Sequence, residues 1–417
     1  MDTMTVEPVD VAEMKLLTAA PIEVAPRQAA GRVSVMAFVD AETERLLQES
    51  SLLLGRSVIM RGGIAKAIQR LSEERSPHLL LVDISGVDLA LSQIHMLAEV
   101  CEPGTNVIAL GDQNDVALYR DLIEAGVSDY IVKPLTRERL TRTLAPKTNG
   151  SGEIAKASSL KLGKMVSFIG ARGGVGTTTM AANLAWYLAN RQSRRVALVD
   201  LDLQHGDCHL LFNLATTPGL RDALANPLRL DALLLDRLMT QHGERLFVLG
   251  GEEPLHEHVE FTTSAIDTLF SVLRSQFHYV IVDVPRIPTP GYRRALEIAD
   301  RRIVVLDPTM RSMRDAVRLA KMLDGDADPS AERRSAFIVN RDGETGRHGL
   351  SLTEITKVLQ VRPTSLVPFL PSLVTPAAHH ATVATSKRGK FADAIGTLAV
   401  ELSGRKQRRR WFSWRAN

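Results

Sequence analysis

The chain has 417 residues, 45% of them hydrophobic and 24% charged, with a formal net charge of +3; this is the composition of an ordinary soluble globular protein, long enough for two or three domains with separate cores. Two cysteines, Cys101 and Cys208, stand without paired spacing; they argue against a disulfide scaffold or a Cys-based metal site and fit a reducing cytoplasm. No run approaches the 18 apolar residues of a membrane span, and the acidic N-terminus lacks the apolar core of a signal peptide.

Residues 1–31 are rich in Ala, Pro, Val and Glu without clear periodicity and read as a mobile arm. From residue 32 to 144, apolar strand candidates alternate with helical spacing: "VSVMAFVD", "HLLLVDIS", "NVIALGD" and "DYIVKPL". This βα alternation predicts a small doubly wound domain around a parallel sheet. Three stretches give it a resemblance to response-regulator receiver domains: "VDA" at the end of the first strand, "LLLVDIS" with Asp83, and "YIVKPL" with Lys133 before Pro134.

The receiver resemblance implies an acidic pocket of Asp40, Asp83 and Lys133. A working receiver needs clustered acids for Mg²⁺, since a hard cation takes several oxygen ligands. Here the first-strand acid pair is reduced to Asp40 followed by Ala41, and Gly111 occupies the Ser/Thr position. The expectation is a degenerate, receiver-like interaction or localisation module, with a phosphorylation-responsive regulator as the alternative.

Residues 145–164, "APKTNGSGEIAKASSLKLGK", read as a linker rich in small and polar residues. A second βα series fills residues 165–404, with strands expected at "MVSFIG", "RVALVDLD", "LFVLGG", "YVIVDVP", "RIVVLDP" and "SAFIVN". The fold class is therefore α/β, with two doubly wound parallel-sheet domains in sequence.

"MVSFIG" runs into "ARGGVGTTT" and then into a helix whose apolar face carries Met180, Leu184 and Leu188. Strand, glycine loop and helix form the context of a phosphate loop, in which backbone N–H groups and the helix N-terminus cradle anionic oxygens. The lysine of G-x-x-x-x-G-K-[ST] is absent: Thr177 takes its place, and Thr178 takes the place of the hydroxyl that ligates Mg²⁺. "RVALVDLDLQHGD" places Asp200 and Asp202 at the end of one strand, and "FHYVIVDVP" places Asp283 at the end of another. Open α/β sheets bind ligands at that edge.

This constellation resembles the MinD/ParA group of deviant-Walker ATPases, whose loop reads K-G-G-x-G-K-[ST]-T. Arg172 sits at the early signature-lysine position, Thr177 at the late one, and Ala171 replaces a usual glycine. The resemblance implies ATP or ADP held by Gly173, Gly174, Val175, Gly176, Thr177, Thr178 and Thr179. It implies Mg²⁺ near Thr178, Asp200 and Asp283, with Asp202 and Arg172 as the catalytic candidates. "FIVNRD" suggests Asn340 reading the adenine edge, and "LVPFLPSLVTPAAHH" resembles the family's late loop beside the base.

A receiver-like domain followed by an ATPase-like domain with an eroded phosphate loop is similar to the TadZ/CpaE group of Flp-type pilus assembly. That resemblance implies a cytoplasmic localisation factor near a cell pole, working with pilus secretion proteins; the MinD/ParA resemblance implies a homodimer closed over nucleotide, with slow or no hydrolysis. A ParA-like partition ATPase acting on DNA is the alternative, and the missing late lysine argues against it.

The tail at 405–417, "RKQRRRWFSWRAN", holds six Lys/Arg and no acid, so the remainder of the +3 chain nets −3. Its Trp411, Phe412 and Trp414 among the arginines suit an anionic membrane surface. A protein partner, nucleic acid and plain solvation are its other readings.

Overall fold

In the computed structural model, residues 35–49, 57–144, 162–256, 261–325 and 335–403 are described. The expected arm, residues 145–161 of the expected linker, and the basic tail lie outside them. In the first half, aliphatic runs form β1 (Val35–Val39), β2 (Ser57–Arg61), β3 (Leu79–Asp83), β4 (Asn106–Gly111) and β5 (Asp129–Val132). All pair in parallel, in the order β2-β1-β3-β4-β5, the flavodoxin-type winding. Helices cover both faces, so β3 and β4 are buried almost throughout and read as continuous apolar runs.

The second half begins with β6 (Lys164–Gly170), one residue before the expected start, and continues with β7 (Val196–Asp200), β8 (Thr240–His242) and β9 (Leu246–Leu249). β10 (Tyr279–Asp283), β11 (Arg301–Leu306), β12 (Ser335–Asp342) and β13 (Ser365–Pro368) complete an eight-stranded sheet ordered β13-β12-β11-β6-β10-β7-β9-β8. The expectation of a wholly parallel sheet is corrected at one edge, where β8 pairs antiparallel with β9. β13 is a further correction, because its last three residues, from Leu366 to Pro368, open the stretch expected to be a loop; Pro371–His379 of the same stretch is a helix.

From β6 the chain winds through β7 to β9 on one side, returns to β10, then winds through β11 to β13 on the other. The reversal beside β6 opens a crevice at the carboxyl ends of β6 and β10, the topological switch point where such sheets take ligands. The helices Thr177–Asn190 and Lys390–Ser403 pack one face of the sheet. Thr263–Gln276, Pro290–Glu297 and Met310–Asp324 pack the other.

Candidate nucleotide and metal site

β6 is buried from Met165 to Gly170 and delivers the chain into the glycine loop at the centre of the sheet. Gly174 and Gly176 have φ of +77° and +87°, the left-handed region that disfavours a Cβ. Gly176 also lies close against a side chain: a Cβ there would come within 2.5 Å of Asn340 Nδ2. The helix begins at Thr177, directly after Gly176, so its first N–H groups open onto the loop.

Asn340, near the end of β12, is 8% exposed and donates Nδ2–H to the Val175 carbonyl at 2.8 Å. Its Oδ1 accepts from Arg341 N at 2.9 Å. The expected base-reading residue is thus engaged at both ends of its carboxamide and braces the glycine loop. The Thr177 hydroxyl lies against Gly170, 2.5 Å from where a Cβ on that glycine would be. Thr179 turns its carbonyl to Asn183 Nδ2 at 2.8 Å. Gly173 is exposed and Arg172 half-buried on the outer turn of the loop, and none of the ion pairs among the described residues uses Arg172.

The parallel register sets Asp283 of β10 directly beside Asp200 of β7. Both are buried, at 7% and 2% exposure. Burial first, and then the charge of Asp200, pushes the Asp283 carboxyl up to about 8, although a hydrogen bond from Thr178 opposes this. Burial raises Asp200 to about 6 against the N–H donors that hold it, Cys208 N at 3.0 Å and Asp202 N at 3.1 Å. Two facing, buried carboxylates beside a hydroxyl are a poor arrangement for ions alone and a good one for a small hard cation. The donor set therefore fits Mg²⁺ at the three residues expected, Thr178, Asp200 and Asp283.

Cys208 was not expected here. Its sulfur lies with the Asp200 and Asp283 oxygens in a group whose ligand atoms are all within 4.8 Å of one another. Burial, followed by the two carboxylates, raises the thiol well above its usual range, so it stays protonated and donates to Asp200. The eight-residue step from Asp200 to Cys208 in "DLDLQHGDC" was the available signal. Tyr292 was also missed; burial and the nearby Asp202 and Asp200 push its phenol up to about 12.

Asp202 is placed differently from its neighbours. Its side chain is 29% exposed, and Oδ1 accepts from Gln204 N at 3.3 Å and His205 N at 2.9 Å, closing its own turn.

In the first half, Asp40, Asp83 and Lys133 do meet. Lys133 donates to Asp40 and, at 2.6 Å, to Asp83. Burial works against ionised Asp40, but the Lys133 and Thr43 hydrogen bonds outweigh it and hold the carboxyl at about 2. The lysine thus pairs with both acids of the pocket. Beside Gly111, Tyr130 fills the space: a Cβ would meet its hydroxyl at 2.3 Å, and that hydroxyl donates to Gln113 O at 2.9 Å.

Residues 163–327 match the family model described as an AAA domain. The septum site-determining protein MinD of Bacillus subtilis is 25% identical over 259 residues, 58% of this chain and 90% of that protein. A ParA family ATPase from Chlorobium tepidum TLS superposes with a TM-score of 0.52 at 22% identity, over 58% of this chain and 99% of the other, which shows the shared fold. A pilus assembly protein CpaE from Caulobacter crescentus CB15 is 31% identical over 27% of this chain and 91% of its own, with a TM-score of 0.25. No helix among the described residues is long and apolar enough to cross a membrane.

Proposed function

We propose that this chain, a MinD/ParA-like P-loop ATPase over its second half, binds ATP with Mg²⁺ to hold a homodimer that marks where a Flp-type pilus secretion machine is built. One observation carries the nucleotide reading: a backbone cradle at the switch point of the sheet faces Thr178, Asp200 and Asp283. Mg²⁺ would be held by those three residues and would supply charge neutralisation to the phosphate oxygens. The loop N–H groups orient the phosphates, and Asn340 keeps the loop in shape.

Thr177 supplies no charge where the late lysine would stabilise a transferring phosphoryl group, so hydrolysis is slow or absent. Arg172 keeps a permanent charge and a planar fork suited to phosphate oxygens. On this reading it reaches the nucleotide of a second copy. A nucleotide that is bound and slowly hydrolysed suits a positional marker. The pilus assignment rests on the order of the two halves, a receiver-like sheet before an eroded P-loop sheet. On this reading the protein works in the cytoplasm near a pole, with the tail as a candidate membrane contact.

Titration calorimetry with ATP and Mg²⁺, followed by sedimentation with and without ATP, tests this reading. We expect ATP to bind and to favour the dimer, and Arg172→Ala to weaken dimerisation more than binding. Absence of binding at millimolar ATP, or a dimer indifferent to nucleotide and to Arg172→Ala, would overturn it.

A further inference from the structure

In each sheet the candidate site lies at the carboxyl edge of the parallel strands: Asp83 and Lys133 in the first, the glycine loop, Asp200 and Asp283 in the second. The contacts between the halves lie at the opposite edge of both. Arg195 precedes β7, Arg245 precedes β9, and His278 precedes β10; on the other half, Ser72 and Glu73 end a helix before β3, and Cys101–Gly104 precede β4.

These contacts form a built interface. Arg195, 4% exposed, lies between the rings of Phe277 and Phe247, at 4.5 and 4.8 Å from their centroids. Its guanidinium faces Glu102 of the first half at 3.7 Å and Asp236 of its own half at 3.3 Å. Glu102 is itself 3% exposed and also faces Arg75 at 3.7 Å. A carboxylate so buried is tolerated only with cations beside it.

His278 joins the same edge: Nδ1 accepts from Arg195 N at 3.1 Å, and Nε2 meets the Cys101 carbonyl at 3.0 Å. Because Nδ1 is the acceptor, the proton sits on Nε2 and is donated to Cys101. Arg245 donates to the carbonyls of Glu73 at 2.6 Å and Ser72 at 3.2 Å, satisfying two terminal groups of a helix that its own turns leave open.

We propose that the amino-terminal edges of the two sheets form a nucleotide-independent docking interface centred on Arg195 and Glu102. The partner that this surface of the second half fits is the chain's own receiver-like half. That half is then a rigid handle whose pocket edge stands opposite the nucleotide edge, so the two edges can be engaged at once. The proposal is independent of nucleotide binding.

The test uses the full chain with a protease site inserted within residues 145–161. After cleavage the halves should co-elute in size-exclusion chromatography, and Glu102→Lys should separate them. Arg245→Ala, away from the buried pair, should lower the fraction that co-elutes. Amide exchange in β1 and β3 of uncut Glu102→Lys should match wild type, showing that the first half still folds; if that half unfolds, Arg245→Ala decides alone. Separation of the cleaved wild-type halves, or co-elution unaffected by either substitution, would overturn the proposal.

Discussion

Asn340 Nδ2 and the Val175 carbonyl, 2.8 Å apart, tie the end of β12 to the glycine loop across 165 positions of sequence. Val175 is 1% exposed, so its carbonyl depends on this amide rather than on bulk solvent for a partner. Asn340→Ala should leave a buried carbonyl unpaired, costing about 1–3 kcal/mol. Where that loss falls on the loop, ATP affinity should drop by about tenfold or more. Calorimetry on the variant checks it; unchanged affinity with lowered stability would make Asn340 a brace of the fold alone.

Thr177→Lys is expected to raise ATP turnover. A cation beside the phosphates stabilises charge that develops during transfer, and one such donor is worth about 10²-fold in rate. The hydroxyl of Thr177 packs against Gly170, so the longer side chain must leave that contact to reach a ligand. Phosphate release by the variant is the measurement. A rate equal to wild type would mean that the absent charge is not what limits hydrolysis.

The central strands and the loop were legible because each is a local pattern: an apolar run ending in glycine or aspartate, then a helix with one apolar face. The meeting of Asp200 with Asp283 followed from two such strand ends. Three edge strands were not legible. β2 is only half-buried, β8 has three polar-rich residues, and β13 lies in a Pro-containing stretch; none has the burial on both faces that produces a continuous apolar run. Tyr130 beside Gly111, Asn340 beneath Val175 and Cys208 beside Asp283 are juxtapositions across strands, and only tertiary packing reveals them.

Thermal stability without Mg²⁺ should fall as pH rises from about 4 to about 8. Asp200 and Asp283 are raised above their unfolded value of 3.8. The native state therefore holds more protons in that window, and the stability they confer is lost as they ionise. Added Mg²⁺ should raise the midpoint more at pH 8 than at pH 6. Asp283→Asn should flatten the pH slope and abolish most of the Mg²⁺ response, as read by scanning calorimetry. A Mg²⁺ response intact in Asp283→Asn would place the cation elsewhere.

Gly111→Ser should not restore a phosphorylation switch. Its Cβ would come within 2.3 Å of the Tyr130 hydroxyl and 2.8 Å of the ring, so the ring must move and give up its bond to Gln113. Overpacking of this kind costs about 1–3 kcal/mol. Tyr130→Ala in the same chain should recover the steric part, visible in urea unfolding. Acetyl phosphate should yield no stable phospho-Asp83 in wild type or Gly111→Ser, because Ala41 leaves the pocket one acid short of the cluster that holds Mg²⁺. A stable phospho-Asp83 species in either chain would refute this.

Acid should open the contact between the halves at His278. Burial first holds its imidazole down to about 3, Arg194, Arg245 and Arg195 add to the effect, and only the Cys101 carbonyl opposes it. In an unfolded chain the same group titrates near 6.5. A depressed histidine stabilises the docked state above that value and withdraws the stability as pH falls toward the folded value. Protonation would also set an Nδ1–H against Arg195 N–H, two donors facing at a bond that now measures 3.1 Å. This sign is opposite to that of the Asp200–Asp283 pair and is read at a different place: amide exchange at Cys101–Thr105 and at Arg195 should rise between pH 7.5 and pH 5. His278→Gln carries no titrating group and should show a flat profile over that range, beyond the intrinsic pH dependence of exchange. If wild type and His278→Gln follow the same curve, the imidazole does not govern the contact.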